Sequence, residues 1–188
     1  MNYIELIKAE VMLLNDKYRD NSSDNYNFWD QHVKYVVKEA KELAIKYGAD
    51  VEIVELGALL HDVALMATVG DRKEHHVNGA SISRELLIKV GYPKDKVERV
   101  VGCVLNHRSS KNATNIEELC VADADILAHF DNIPMLYNSA FNRFNVKLEN
   151  INEWMKESFE KDYNDLSERT RDYFEDKYKK ICDVLFVD

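Results

Sequence analysis

The stretch Val51-Glu52-Ile53-Val54-Glu55-Leu56-Gly57-Ala58-Leu59-Leu60-His61-Asp62 decides how this chain is read. Its apolar residues keep helical spacing, with Val51, Val54, Ala58 and His61 on one face, and Asp50 stands where a helix N-cap belongs. A histidine and a carboxylate closing so oily a run, beside Leu59, Leu60, Val63 and Leu65, face a desolvation cost unless something cationic offsets it. A divalent metal would do so, because imidazole nitrogen and carboxylate oxygen are the usual ligands of catalytic zinc, manganese and iron, and carboxylate of magnesium. Gly57 costs the helix about 1 kcal/mol relative to alanine. A residue kept at that cost implies the close approach of a neighbouring helix.

Outward from this stretch, His32 lies upstream and His75, His107 and Asp125 lie downstream, each at the edge of a predicted helix. Ile4, Ile7, Val11, Leu14 and Tyr18 predict a first helix, followed by a loop over the polar run from Arg19 to Asn25. A second helix is expected from about Phe28 to Tyr47, with Gly48 as its C-terminal cap and His32 near its inner face. After a break over Ala67 to Glu74, His75-His76 open a helix that Gly91 and Pro93 stop, and the next one buries Val97, Val100, Val101 and Val104 before ending at His107. Taken alone, His107 is explained as well by the carbonyl end of its own helix as by ligation. Thr114-Asn115-Ile116-Glu117 has capping-box form and predicts a helix carrying Asp123 and Asp125. Those two aspartates stand about 200° apart on a helix, so one of them reaches a given ion, and apolar periodicity does not choose between them. Beyond Pro134, two amphipathic helices are expected, at about Ile151 to Asp162 and about Asp165 to Phe186.

A histidine, then His-Asp, then a distant aspartate is an order that resembles the HD superfamily of metal-dependent phosphohydrolases, closest to the small single-domain bacterial type. The resemblance runs from about Phe28 to Phe130, and Leu-Gly-Ala-Leu-Leu-His-Asp-Val, His-His-Val-Asn-Gly-Ala and Asp-Ala-Asp-Ile-Leu fall in the family's order. It implies an all-α, single-domain helical HD-domain bundle over residues 1–188, with a motif-bearing core at about 28–130 and the helices of 134–188 packed on it. The family's Ala-Asp-x-Leu pattern fits Ala124-Asp125-Ile126-Leu127, which favours Asp125 and leaves Asp123 structural or supporting. One metal would then take His32, His61, Asp62 and Asp125. Where the family's pattern extends to six ligands, a second takes His75, four residues before Gly79-Ala80, and His107, with Asp62 bridging. The implied cofactors are one or two divalent ions, with iron, manganese or magnesium expected. The implied reaction is hydrolysis of a phosphate ester or anhydride by metal-activated water, with Asp62 as the catalytic carboxylate. Arg72, Lys73, Arg108 and Lys111 are the cations nearest the proposed ligands and are assigned to substrate phosphate. A nucleotide or related small phosphorylated metabolite is implied by the resemblance alone. A di-iron oxygenase on the same ligands and a non-catalytic nucleotide-binding domain stay open as alternatives.

Composition sets the outer bounds. The chain has 188 residues, 46% of them hydrophobic, which suits one domain with a sizeable core. Its net charge of -9 argues against binding a nucleic-acid duplex, which needs clustered Lys and Arg. Cys103, Cys120 and Cys182 lack metal or disulfide spacing and read as reduced core residues. The N-terminal segment mixes charge into its apolar pattern, so neither a secretory leader nor a membrane span is expected, and a cytoplasmic location is the default. A homodimer stays open.

Overall fold

The helix that ends in His61-Asp62 is α3, Val51–Leu60, and Asp50 caps it by accepting from the backbone N–H groups of Glu52 and Ile53. In this computed structural model, which describes residues 2–22 and 26–186, α3 is the central helix, with Ile53, Val54, Leu56, Ala58, Leu59 and Leu60 each at most 1% exposed. It packs against α1 (Tyr3–Asn21), α2 (Lys34–Tyr47), α6 (Lys94–Asn106) and α7 (Ile116–Asp131). The short α4 (Val63–Met66) continues from Asp62, and α5 (His75–Lys89) lies against α4 and α6. Every regular element of the described residues is a helix, with no strand among them, and the fold class is all-α.

Gly57 acts as its sequence position implied. A Cβ there would lie 2.6 Å from the Cβ of Cys103 on α6 and 3.2 Å from Val121 on α7. Gly79 does the same for α5, where a Cβ would come within 3.2 Å of Val104 and 3.5 Å of the His61 carbonyl. Both glycines thus bring backbones together around the His61-Asp62 turn.

Four features differ from the sequence expectations. The second helix is not α-helical from Phe28, because residues Trp29–Val33 form a π turn ahead of α2. Two asparagines account for it. Asn15 Oδ1 accepts from the Trp29 N–H at 3.1 Å, and Asn132 Nδ2 donates to the Gln31 carbonyl at 2.7 Å, so these groups bond outside the regular ladder. The capping box before α7 is one residue further on. Asn115 caps by accepting from the Glu118 N–H at 3.0 Å, and Glu118 reaches back to the Thr114 N–H at 2.7 Å. A helix that was not expected, α8, spans Ile133–Asn142 with Pro134 in its first turn, where no backbone N–H is needed for the ladder. The first helix runs on to Asn21, so the expected polar loop starts later, and Ser23, Asp24 and Asn25 lie outside the described residues.

The tail forms α9 (Ile151–Asp165) and α10 (Glu168–Leu185), capped by Ser167. Phe130 of α7 gathers Phe159, Phe174 and Tyr178 around it, with ring centroids at 4.9, 5.0 and 5.9 Å. Of the tail residues expected inside, Phe174 is buried while Ile181 and Leu185 are half-buried. All three cysteines are free thiols, and Cys182 is half-buried and not a core residue. No helix among the described residues is long and apolar enough to cross a membrane.

Candidate metal centre

His61 ends α3 and Asp62 follows it in the turn before α4, with φ -103 and ψ 16, a region of backbone space frequented by active-site residues. His32 comes from the π turn, His75 from the start of α5, His107 from the end of α6 and Asp125 from the middle of α7. The structure brings these six side chains together. His32 Nε2 lies 3.1 Å from His61 Nε2 and 2.9 Å from Asp125 Oδ1. His75 Nε2 lies 2.9 Å from His107 Nε2. The Asp62 carboxylate divides between the two groups, with Oδ2 at 3.6 Å from His61 Nε2 and Oδ1 at 3.3 Å from His75 Nε2. His32, His61 and Asp62 form one buried cluster that could hold an ion, and Asp62, His75 and His107 form another.

Hydrogen bonding fixes which nitrogen each ring presents. His61 Nδ1 donates to the Ala58 carbonyl at 2.7 Å, His75 Nδ1 to the Arg72 carbonyl at 2.6 Å and His107 Nδ1 to the Val104 carbonyl at 2.6 Å. A carbonyl only accepts, so each Nδ1 carries the hydrogen and each ring turns Nε2 inward. The helix-end role open to His107 in the sequence and its place in the cluster are therefore compatible, since one ring nitrogen serves each. His32 is the exception, because its buried Nδ1 has no partner among the described residues.

Burial, and then the charge of His61, pushes His107 down to about 4, so it is neutral at pH 7. Two Nε2 atoms 2.9 Å apart, the one on His107 a bare lone pair, are placed as two donors to a shared cation would be. The spacing suits the metal. Nitrogens about 2.1 Å from one ion and at a right angle lie about 3.0 Å apart. Burial would raise the Asp62 carboxyl, but the charges of His61 and His32 outweigh it and lower the pKa. For Asp125, the hydrogen bond and charge of His32 overcome burial and hold the carboxyl well below the usual range. Both carboxylates are thus kept as anions among nitrogen donors, the composition of a transition-metal site.

Asp123 faces elsewhere. Its carboxylate accepts from the Ser167 N–H at 2.9 Å, from the Ser167 hydroxyl at 2.5 Å and from the Thr170 hydroxyl at 2.6 Å, tying the start of α10 to α7. Burial raises its pKa, against the lowering effect of these bonds.

The four cations assigned to phosphate are dispersed. Arg72 is exposed and meets the centre through its backbone carbonyl, which accepts from His75 Nδ1, while burial and then the charge of Asp62 push the pKa of the half-buried Tyr26 phenol up to about 12. Arg108 donates to the Lys73 carbonyl at 2.8 Å, Lys73 is exposed, and Lys111 lies 3.7 Å from Asp165 of α9. Sequence reasoning missed His129, which forms a third cluster with His32 and Asp125. It follows Asp125 by one helical turn, the spacing that places two side chains on one face. Its partner Asp162, whose Oδ2 accepts from His129 Nδ1 at 2.8 Å, gave no local signal.

With this geometry in place, comparison with known proteins decides the family. The profile of the HD domain matches residues 29–129, which is more than half of the chain. The chain belongs to the HD domain family. Its HD domain contains the π turn, the His61-Asp62 turn, His75, His107 and Asp125. A stretch of 98 residues is 36% identical to Ribonuclease Y of Treponema denticola, covering 52% of this chain and 18% of that protein. Over 98% of this chain and 95% of the other, the fold matches a predicted HD superfamily hydrolase from an uncultured Thermotogales bacterium, with a TM-score of 0.66 at 19% identity. The Lin1889 protein of Listeria innocua matches with a TM-score of 0.62 at 21% identity, over 98% and 94% of the two chains. At such identities these two likenesses speak to fold, and they extend it past the HD domain to the helices of the tail.

Proposed function

We propose that this HD domain is a metal-dependent phosphohydrolase acting on a small phosphate ester or anhydride, a nucleotide or related metabolite among them. The observation that carries the reading is the facing pair of imidazole nitrogens at 2.9 Å, with Asp62 spanning from that pair to the His32–His61 pair. One ion is assigned to His32, His61, Asp62 and Asp125 and a second to Asp62, His75 and His107. Divalent ions in such a pair acidify water and neutralise phosphoryl oxygens. Manganese or iron would suit this mix of imidazole and carboxylate donors, and magnesium would depend on the carboxylates. The protein's own residues then have distinct tasks. Backbone carbonyls orient the rings of His61, His75 and His107, Asp62 holds the two halves of the centre in register, and Arg72 receives a substrate phosphate oxygen.

Ribonuclease Y is named for action on RNA, and a phosphodiester falls within the same chemistry. The net charge of -9 favours a small substrate here, because a nucleic-acid strand needs a basic track. The test is elemental analysis of protein purified without chelator, followed by phosphate release from a panel of nucleotides and sugar phosphates with manganese, iron or magnesium supplied. About two equivalents of metal with phosphate release are expected. Iron with oxygen consumption and no phosphate release would replace the reading with a di-iron oxygenase. Tight nucleotide binding without turnover would replace it with a binding domain.

A further inference from the structure

The tail of the chain contributes to the centre through Asp162. Its Oδ2 accepts from His129 Nδ1 at 2.8 Å, across from α9 to α7. That bond uses one ring nitrogen and leaves Nε2 without it, and His129 offers a ring nitrogen within 4.8 Å of ligand atoms on both His32 and Asp125. The ring lies beside that of His32, with centroids 5.9 Å apart. Exposure separates it from the four histidines of the centre, which are all buried. The His129 side chain is 29% exposed, against 9% for His32 and 0% for His61, and Asp125 beside it is 23% exposed. His129 and Asp125 are therefore the more exposed edge of the His32 half of the centre.

We propose that His129, oriented by Asp162, is a further catalytic residue that meets the leaving oxygen of the substrate. The inference rests on the phosphohydrolase reading. An imidazole whose Nδ1–H is fixed by a carboxylate presents Nε2 in one direction, and in its protonated form it donates there. As water oxygen bonds to phosphorus, the bond from phosphorus to the ester oxygen breaks. The electron pair stays on that oxygen, which takes the Nε2 proton, and the proton lost by the attacking water returns to His129 through solvent. On this reading α9 does more than pack, because it delivers the carboxylate that aims the ring.

The test compares His129→Ala and Asp162→Asn with wild type on two esters, 4-nitrophenyl phosphate, whose leaving group needs no proton, and an alkyl phosphate, whose leaving group does. Metal content and the Kd of inorganic phosphate for the manganese-loaded proteins accompany the rates. Both variants should keep their metal. They should slow the alkyl ester by about 100-fold or more and the nitrophenyl ester by under about 10-fold, the scale of general acid catalysis. Phosphate should bind at least about 10-fold more weakly to His129→Ala. Equal slowing of both esters would make the pair structural, and loss of metal would make His129 a ligand, so either result overturns the proposal. If wild type hydrolyses neither ester, the phosphohydrolase reading fails with them, and an unchanged phosphate Kd in His129→Ala would separately show that the ring does not face the substrate.

Discussion

Asp123 and Asp125 stand two residues apart on α7 and serve different ends. Asp125 lies 2.9 Å from His32 Nε2, whereas Asp123 is spent on Ser167 and Thr170. Asp125→Asn should release the ion of the His32 half while leaving the fold intact, read by elemental analysis with circular dichroism. Asp123→Asn should keep both ions and lose about 2–4 kcal/mol of stability in urea, since it weakens several charge-assisted hydrogen bonds and leaves buried hydroxyls poorly matched. The opposite outcome would move the motif by two residues. At this scale much was legible. The order of His32, His61-Asp62 and Asp125 is a property of the sequence itself, and it needs no knowledge of packing. His129 with Asp162 and Asn132 with Gln31 were not legible, because 33 and 101 residues separate the partners and no local pattern links them.

Each helix end near the centre is built the same way. A histidine turns one ring nitrogen back to the carbonyl three residues earlier and sends the other inward, at His61, His75 and His107 alike. Because α5 and α6 bring His75 and His107 while α2 and α7 lead to His32 and Asp125, the two halves are separable by mutation. His75→Ala combined with His107→Ala should halve the metal content and spare the ion held by His32, His61, Asp62 and Asp125. Loss of a ligand exceeds the 10–100-fold effect of supporting residues, so the difference should survive dialysis. Unchanged metal content in that double variant would end the two-ion reading. Helix spacing is tested by Gly57→Ala. Alanine gains about 1 kcal/mol in propensity, yet its Cβ would sit 2.6 Å from that of Cys103, and overpacking of this kind costs about 1–3 kcal/mol. A net destabilisation is expected, and a more stable variant would show that α3 and α6 part easily. Helix periodicity made most of these elements readable, whereas α8 was missed because Pro134 marks a helix start as readily as a boundary.

Across the whole molecule, the proposed ions join segments from residue 32 to residue 125, so binding should be felt as global stability. At a free metal concentration about 1,000-fold above Kd, one site adds about 4 kcal/mol, which corresponds to a rise in Tm of about 8–16 °C for a chain of this size. Chelation should lower Tm by that order in differential scanning calorimetry, and an unchanged Tm would deny the ions a structural share. The tail, tied on by Asp123 and by the rings around Phe130, should melt together with the core in the same transition. The π turn that presents His32 has a consequence for chain length. A π turn carries one residue more than the α ladder requires, so deleting a single residue such as Asp30 lets Trp29–Val33 close into a regular α-helix, at little cost in helical content. The shortened chain would swing position 32 by about 100° and discard that ligand. Such a deletion should keep the ion of the His75–His107 half and lose the other, a one-codon difference between a two-ion and a one-ion protein.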